Sequence, residues 1–352
     1  MLPSTHRNNP QASLRADNMS NKSPVLRKLW LLKLVPDFPY ARLVTGLVLF
    51  SIFLPVFYLG HNEIPEHSTP ALFFSLVLAY IIPVFSHITG RAQTALIELH
   101  PRLDLSEEEF AEAQTWLQSS PLWAVLLQLG LGALAGFAHM SYVRDSIDVA
   151  VAELVGTVTG AMSMVGAMLV WMIMVTVISM LMQQAFVFAR LGARNVRIAL
   201  LNTTALAPFA RVSISSSLAI IGALALFPLI SFESGLNLRE ILPGAIATLG
   251  PLIGLFFIPI WPVHRRLAAA KQAELEQVNG QLESRLEALG PQIGFEQANE
   301  LAPLINYRRE VNEAPTWPFE GGNMGRILLY MVIPPLTWIA AALMENLVDS
   351  ML

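Results

Sequence analysis

The chain has 352 residues, 54% hydrophobic and only 14% charged, with a mean hydropathy of +0.53 and a net charge of −4. Soluble globular proteins carry about 25% charged residues, so an apolar excess arranged in long blocks predicts a polytopic membrane protein. No basic excess exists to neutralise phosphates, which argues against a nucleic-acid partner. The absence of cysteine excludes disulfides, thiolate catalysis and Cys-ligated metal centres.

Residues 1–42 are polar and carry Arg7, Arg15, Lys22, Arg27, Lys28, Lys33 and Arg42. Their first half, rich in Asn, Ser and Pro, reads as disordered. The first apolar block begins too late and runs too long for a signal peptide. Ser23-Pro24 suits a helix start. Leu26, Leu29, Trp30, Leu32 and Leu34 among Arg27, Lys28 and Lys33 then predict a basic interfacial helix, or a plain juxtamembrane anchor with the same physics.

Residues 43–262 hold six apolar blocks, near 43–59, 71–88, 122–140, 151–188, 212–230 and 241–261, and a seventh lies near 327–347. About 20 apolar residues cross the hydrocarbon core. The fourth block is nearly twice that length and reads as one helix, tilted or protruding. With seven spans and a cytoplasmic N-terminus, only Arg144 and Arg239 fall outside, and the other 20 of the 22 Lys and Arg residues fall inside. That is the positive-inside pattern, and six or eight spans would break it. Two inside segments are amphipathic. Ser106 with Glu109 has capping-box form ahead of Phe110, Ala113, Trp116 and Leu117. Residues 195–206 set Val196, Leu200 and Leu201 against Arg194 and Arg197, and read as a second inner-face helix.

Residues 263–326 form the largest insert. Leu267, Leu275, Val278, Leu282, Leu286 and Leu289 recur at helical spacing, and Gly290-Pro291 ends the run. A second helix over 295–312 presents Leu301, Leu304, Ile305 and Val311. The pair reads as a cytosolic amphipathic helical hairpin. Trp317, Pro318 and Phe319 then form a candidate interface anchor leading into the seventh helix, residues 327–352. Pro334 and Pro335 are a candidate hinge in that helix. The fold class is therefore all-α: seven transmembrane helices, a cytosolic helical hairpin between spans six and seven, and an outside C-terminus.

The run Ile305-Asn306-Tyr307-Arg308-Arg309-Glu310-Val311, then Trp317-Pro318-Phe319, then Tyr330 to Pro335 and Trp338 to Glu345, resembles the C-terminal end of uncharacterised bacterial polytopic inner-membrane proteins. The resemblance implies a bacterial inner (plasma) membrane location and brings no catalytic residues with it.

Ionisable groups inside a membrane are costly and mark function, yet no Asp, Glu, Lys or Arg lies at the centre of any span. Glu153 and Glu345 sit toward the outer face, either as hydrated interface carboxylates or as candidate outer-mouth residues of an oligomeric pore. His61, Glu63, Glu66 and His67 match no standard metal spacing and read as a polar loop. No catalytic residue, cofactor or metal is assigned. Gly132/Gly136 and Gly156/Gly160 predict close helix packing, within or between subunits. Pro55, Pro83, Pro228, Pro251 and Pro259 predict kinks, which line many transport paths and also occur as plain structure. Two functions follow. One is an oligomeric channel or permease for a small ion or solute. The other is a non-transporting scaffold or regulator recruiting a cytosolic protein partner through residues 263–312. The expected partners are the lipid bilayer and further copies of the chain.

Overall fold

The computed structural model describes residues 26–60, 69–226, 229, 238–289 and 295–318. Apart from two three-residue strands, the regular elements there are helical. In chain order they are β1 (Leu26–Lys28), α1 (Trp30–Lys33), α2 (Ala41–Gly60), α3 (Thr69–Leu99), α4 (Glu107–Trp116), β2 (Ser119–Pro121), α5 (Leu122–Val143), α6 (Ile147–Gly156), α7 (Val158–Arg194), α8 (Ala207–Leu224), α9 (Leu238–Leu289) and α10 (Phe295–Glu313). Six of the helices are long and apolar enough to cross a membrane: α2, α3, α5, α7, α8 and α9. The expected seventh span, near 327–347, lies outside the described residues.

α3 and α7 are central, with 67% and 56% of their apolar windows buried, against 17% for α2 and 11% for α5. α7 packs on α3, α5, α6 and α9, and α3 also packs on α2 and α8. Without a hydrophobic force between helices in lipid, close approach depends on small residues. Gly132 and Gly136 of α5 lie on the α7 backbone; a Cβ at Gly136 would be 2.6 Å from Met168 Cα. This Gly-x-x-x-Gly therefore acts within the chain. Gly46 of α2 lies on the Ala79 carbonyl, 3.1 Å from a Cβ placed there. Pro83, four residues on, has no N–H to give that carbonyl. The Ser213 hydroxyl of α8 donates to the Phe256 carbonyl of α9, a side-chain to backbone bond that ties these two helices together.

Three helices, α3, α7 and α9, outrun a bilayer. α7, with 37 residues, is about 55 Å long, against a hydrocarbon core of about 30 Å. The overhangs share one end of the bundle. There β1 pairs antiparallel with β2, Leu103 bridges to Val196, and the Arg266 guanidinium donates to the Gly192 carbonyl at 3.5 Å. A second apolar cluster, including Leu96, Phe110, Phe188, Phe209, Val263 and Leu267, fills this collar.

Three local readings differ from the sequence expectation. Leu26–Lys28 is a strand, and only one helical turn follows. Leu29, Leu31 and Leu32 are buried (1%, 0% and 8% exposed), so the segment packs into the bundle instead of lying on its surface. The partner edge at Ser119–Pro121 satisfies its backbone groups. The fourth apolar block is not one helix. Thr157 is extended (φ −134°, ψ 145°), and its Oγ accepts from Gly160 N at 3.0 Å. Gly156 and Gly160 thus mark the α6–α7 break, where poor helix formers and a capping hydroxyl meet. Residues 195–202 are not helical. Asn195 and Arg197 instead exchange backbone bonds with Asp104 and Arg102, at 2.7 and 2.9 Å, with a 3₁₀ turn only at Thr203–Leu206. The position expected to divide membrane region from insert, after residue 262, lies within one helix: α9 spans 52 residues and contains Pro243, Pro251, Pro259 and Pro262.

Candidate functional site

The collar is where the bundle's polar chemistry gathers. The capping box forms as expected: Ser106 Oγ accepts from Glu109 N, and Ser106 N donates to Glu109 Oε2 at 2.9 Å. At the other end of α4, two consecutive glutamines of α7 reach the carbonyls that a helix terminus leaves open. Gln183 Nε2 donates to Trp116 O and Ser119 O at 2.6 and 2.9 Å. Gln184 Nε2 donates to Leu117 O at 2.8 Å and to Thr89 Oγ1 at 3.0 Å. Gln184 is fully buried. These residues escape a search for charges; the available signal was two adjacent amides in a long apolar run. Ion pairs Arg211–Glu98 and Arg197–Asp104 tie the collar's rim. Such exposed pairs contribute little to stability.

Beyond the collar, α10 lies along the distal half of α9 and the two form an arm. Tyr307 donates to Glu274 Oε1 at 2.9 Å, and Arg308 Nε to Asn279 Oδ1 at 2.6 Å. Lys271 Nζ donates to Ala314 O at 3.0 Å, a cation placed at the negative end of α10. Val278, Leu301 and Val311 are buried, at 2%, 5% and 0% exposed. The Glu274 carboxylate, as acceptor of its hydrogen bond, holds the Tyr307 phenol above its usual value of 10.0. At the root of the arm the Trp317 ring stacks on His264, centroids 3.9 Å apart and planes 14° apart. His264 Nδ1 lies 3.0 Å from Thr316 O, so this nitrogen carries the proton. Trp317 also packs against the collar cluster, and Pro318 is buried.

Of the residues singled out from the sequence, Glu153 is half-buried and paired with Arg144, Nε to Oε2 2.8 Å. Trp317 and Pro318 are brought to the arm's root, far along the chain from Glu153. Phe319, Pro334, Pro335 and Glu345 lie outside the described residues, as do His61, Glu63, Glu66 and His67. Among the described residues no group of three metal-competent side chains converges.

Between α3, α7, α8 and α9 lies a cavity of about 40 Å³, walled by side chains such as Val77, Ile81, Val170 and Ile220. Two hydroxyls in its wall face backbone carbonyls: Tyr80 donates to Ala219 O at 3.2 Å, and Thr248 to Gly244 O at 2.9 Å. Its lining includes no charged group. In α5, His139 Nδ1 accepts from Trp171 Nε1 at 2.9 Å, which places any proton of the neutral ring on Nε2. Compared with protein-family models, curated proteins and solved structures, the chain finds no match in any of the three.

Proposed function

We propose that this protein is a non-transporting membrane scaffold or regulator, anchored by its bundle and recruiting a cytosolic protein through the α9–α10 arm. The observation that carries this reading is the continuity of α9. One helix of 52 residues, about 78 Å long, is core of the bundle at one end and half of the arm at the other. A partner docked on the arm is therefore held at a set height and angle over the membrane. The largely apolar cavity among α3, α7, α8 and α9 supports the same reading, because its lining offers a hydrated ion no charged group and only two hydroxyls, both already donating to backbone carbonyls. In the full proposal the chain spans a bacterial inner membrane seven times, with N-terminus and arm cytoplasmic and C-terminus outside. The gathering of the basic segments at one end supports that orientation.

Two measurements test it together. Proteoliposomes containing the full chain, or a form lacking 267–312, are expected to show no ion or small-solute flux above empty vesicles. A photo-crosslinking residue at Ile305, 52% exposed on the arm, is expected to capture a discrete soluble protein in cells, and one at Leu126 on α5 is not. Protein-dependent flux would overturn the reading in favour of the channel or permease.

A further inference from the structure

A polar cavity of about 620 Å³ opens at the collar where α2 begins. Its walls are the turn over residues 35–43, Lys28 of β1, and Ser86, Thr89, Gly90 and Gln93 of α3. Two cations, Lys28 and Arg42, face one carboxylate, Asp37, so the lining is net positive. Arg42 folds across α3: one guanidinium nitrogen lies 3.1 Å from His87 Nδ1, and the other would sit 3.2 Å from a Cβ on Gly90. Since an arginine only donates, His87 Nδ1 accepts, and this bond holds the exposed Arg42 guanidinium at the cavity. The N-terminus of the 20-residue α2 ends in the same wall, adding its positive dipole end.

The depth of the cavity is set by its surroundings. Ala41 is the first residue of the membrane-crossing window of α2. Phe38 and Tyr40 stand on the rim, 48% and 80% exposed, as aromatic rings do at headgroup level. Immediately below, Leu43, Leu47 and Val48 of α2 are 64%, 58% and 48% exposed, an apolar flank of acyl-chain character. A cationic cavity continuous with an exposed apolar flank has the polarity profile of one lipid molecule. We propose that this cavity binds the phosphodiester headgroup of an anionic phospholipid, whose chains lie along α2. Lys28 and Arg42 pair with the phosphate, and the amides and hydroxyls of Gln93, Gln118 and Ser86 are available to the rest of the headgroup.

The test is equilibrium binding of fluorescent phosphatidylglycerol and phosphatidylcholine to the purified full chain in neutral detergent, with inorganic phosphate as competitor. The wild type is expected to prefer phosphatidylglycerol. Lys28→Gln/Arg42→Gln is expected to weaken that binding at least about tenfold, as two juxtamembrane cations are lost, with phosphatidylcholine unaffected. Ser86→Trp, which keeps both cations and fills the cavity, should produce the same loss. Arg285→Gln on the arm should change nothing. Phosphatidylglycerol binding that survives both collar variants would overturn the site. Competition by inorganic phosphate at the concentration at which the lipid itself binds would overturn the lipid assignment.

Discussion

The side chains that organise this molecule are uncharged, and that decides what a residue-by-residue reading of the sequence could find. Asp, Glu, Lys and Arg announce themselves in an apolar span; Gln184 does not, yet it joins α3, α7 and the end of α4. Replacing it with Met roughly keeps the volume and strands the Leu117 carbonyl in a buried site. The expected loss is about 1–3 kcal/mol, read as a lowered unfolding midpoint in detergent. Gln183→Met, at a less buried position, should cost less. A second residue-scale outcome concerns Tyr307. Its folded-state pKa lies above 10.0 because the neutral phenol donates to Glu274, so this contact is intact below pH 10.0 and lost as pH rises through the folded value. The phenolate absorbance that disappears in Tyr307→Phe should titrate above pH 10.0, and Glu274→Gln should bring it down. Trp317 was read from the sequence as an interface anchor; that its ring would stack on His264 was not legible, because the two lie on elements joined only by tertiary structure.

Among the elements, those legible in the sequence are the ones whose reason for existing is local. Long apolar blocks become α2, α3, α5, α7, α8 and the first half of α9 because a chain in lipid must bond its own backbone. The Ser106–Glu109 pair caps α4 because the two residues are three apart. What was hidden depends on partners distant in sequence. β1 and β2 pair Arg27 with Ser120, and nothing in either triplet alone signals a strand. The α6–α7 break interrupts a stretch whose hydropathy does not change, and only Gly156-Thr157 hints at it. The two Gly-x-x-x-Gly patterns show the same limit, since one packs helices and the other marks a break. Their difference gives an element-scale test. Gly136→Leu must force α5 off the α7 backbone, at about 1–3 kcal/mol. At Gly130, one turn and a half away, nothing lies within 4 Å of an added Cβ, so Gly130→Leu should stay within about 0.5 kcal/mol. Equal effects in thermal unfolding would mean that α5 is not seated on α7 as described.

At the scale of the whole molecule, the central claim is that bundle and arm are one mechanical piece. The division expected after residue 262 falls where apolar sequence gives way to polar sequence, at His264-Arg265-Arg266. A helix does not need to end there, as its hydrogen bonds are internal and serve equally in lipid and in water. Four prolines remove donors without ending α9, and the collar cluster around Val263 and Leu267 grips it at the transition. Rigidity through that point is what would let the bundle present the arm to a partner. The chain has no cysteine, so paired spin labels can be placed without background. With labels at Leu249→Cys in the bundle and Glu276→Cys in the arm, electron–electron distance measurement in reconstituted membranes should give one narrow distribution near ~40 Å, the rise of a continuous helix over that interval. A broad distribution, or a main peak well short of that length, would place a hinge near Pro262 and contradict the account.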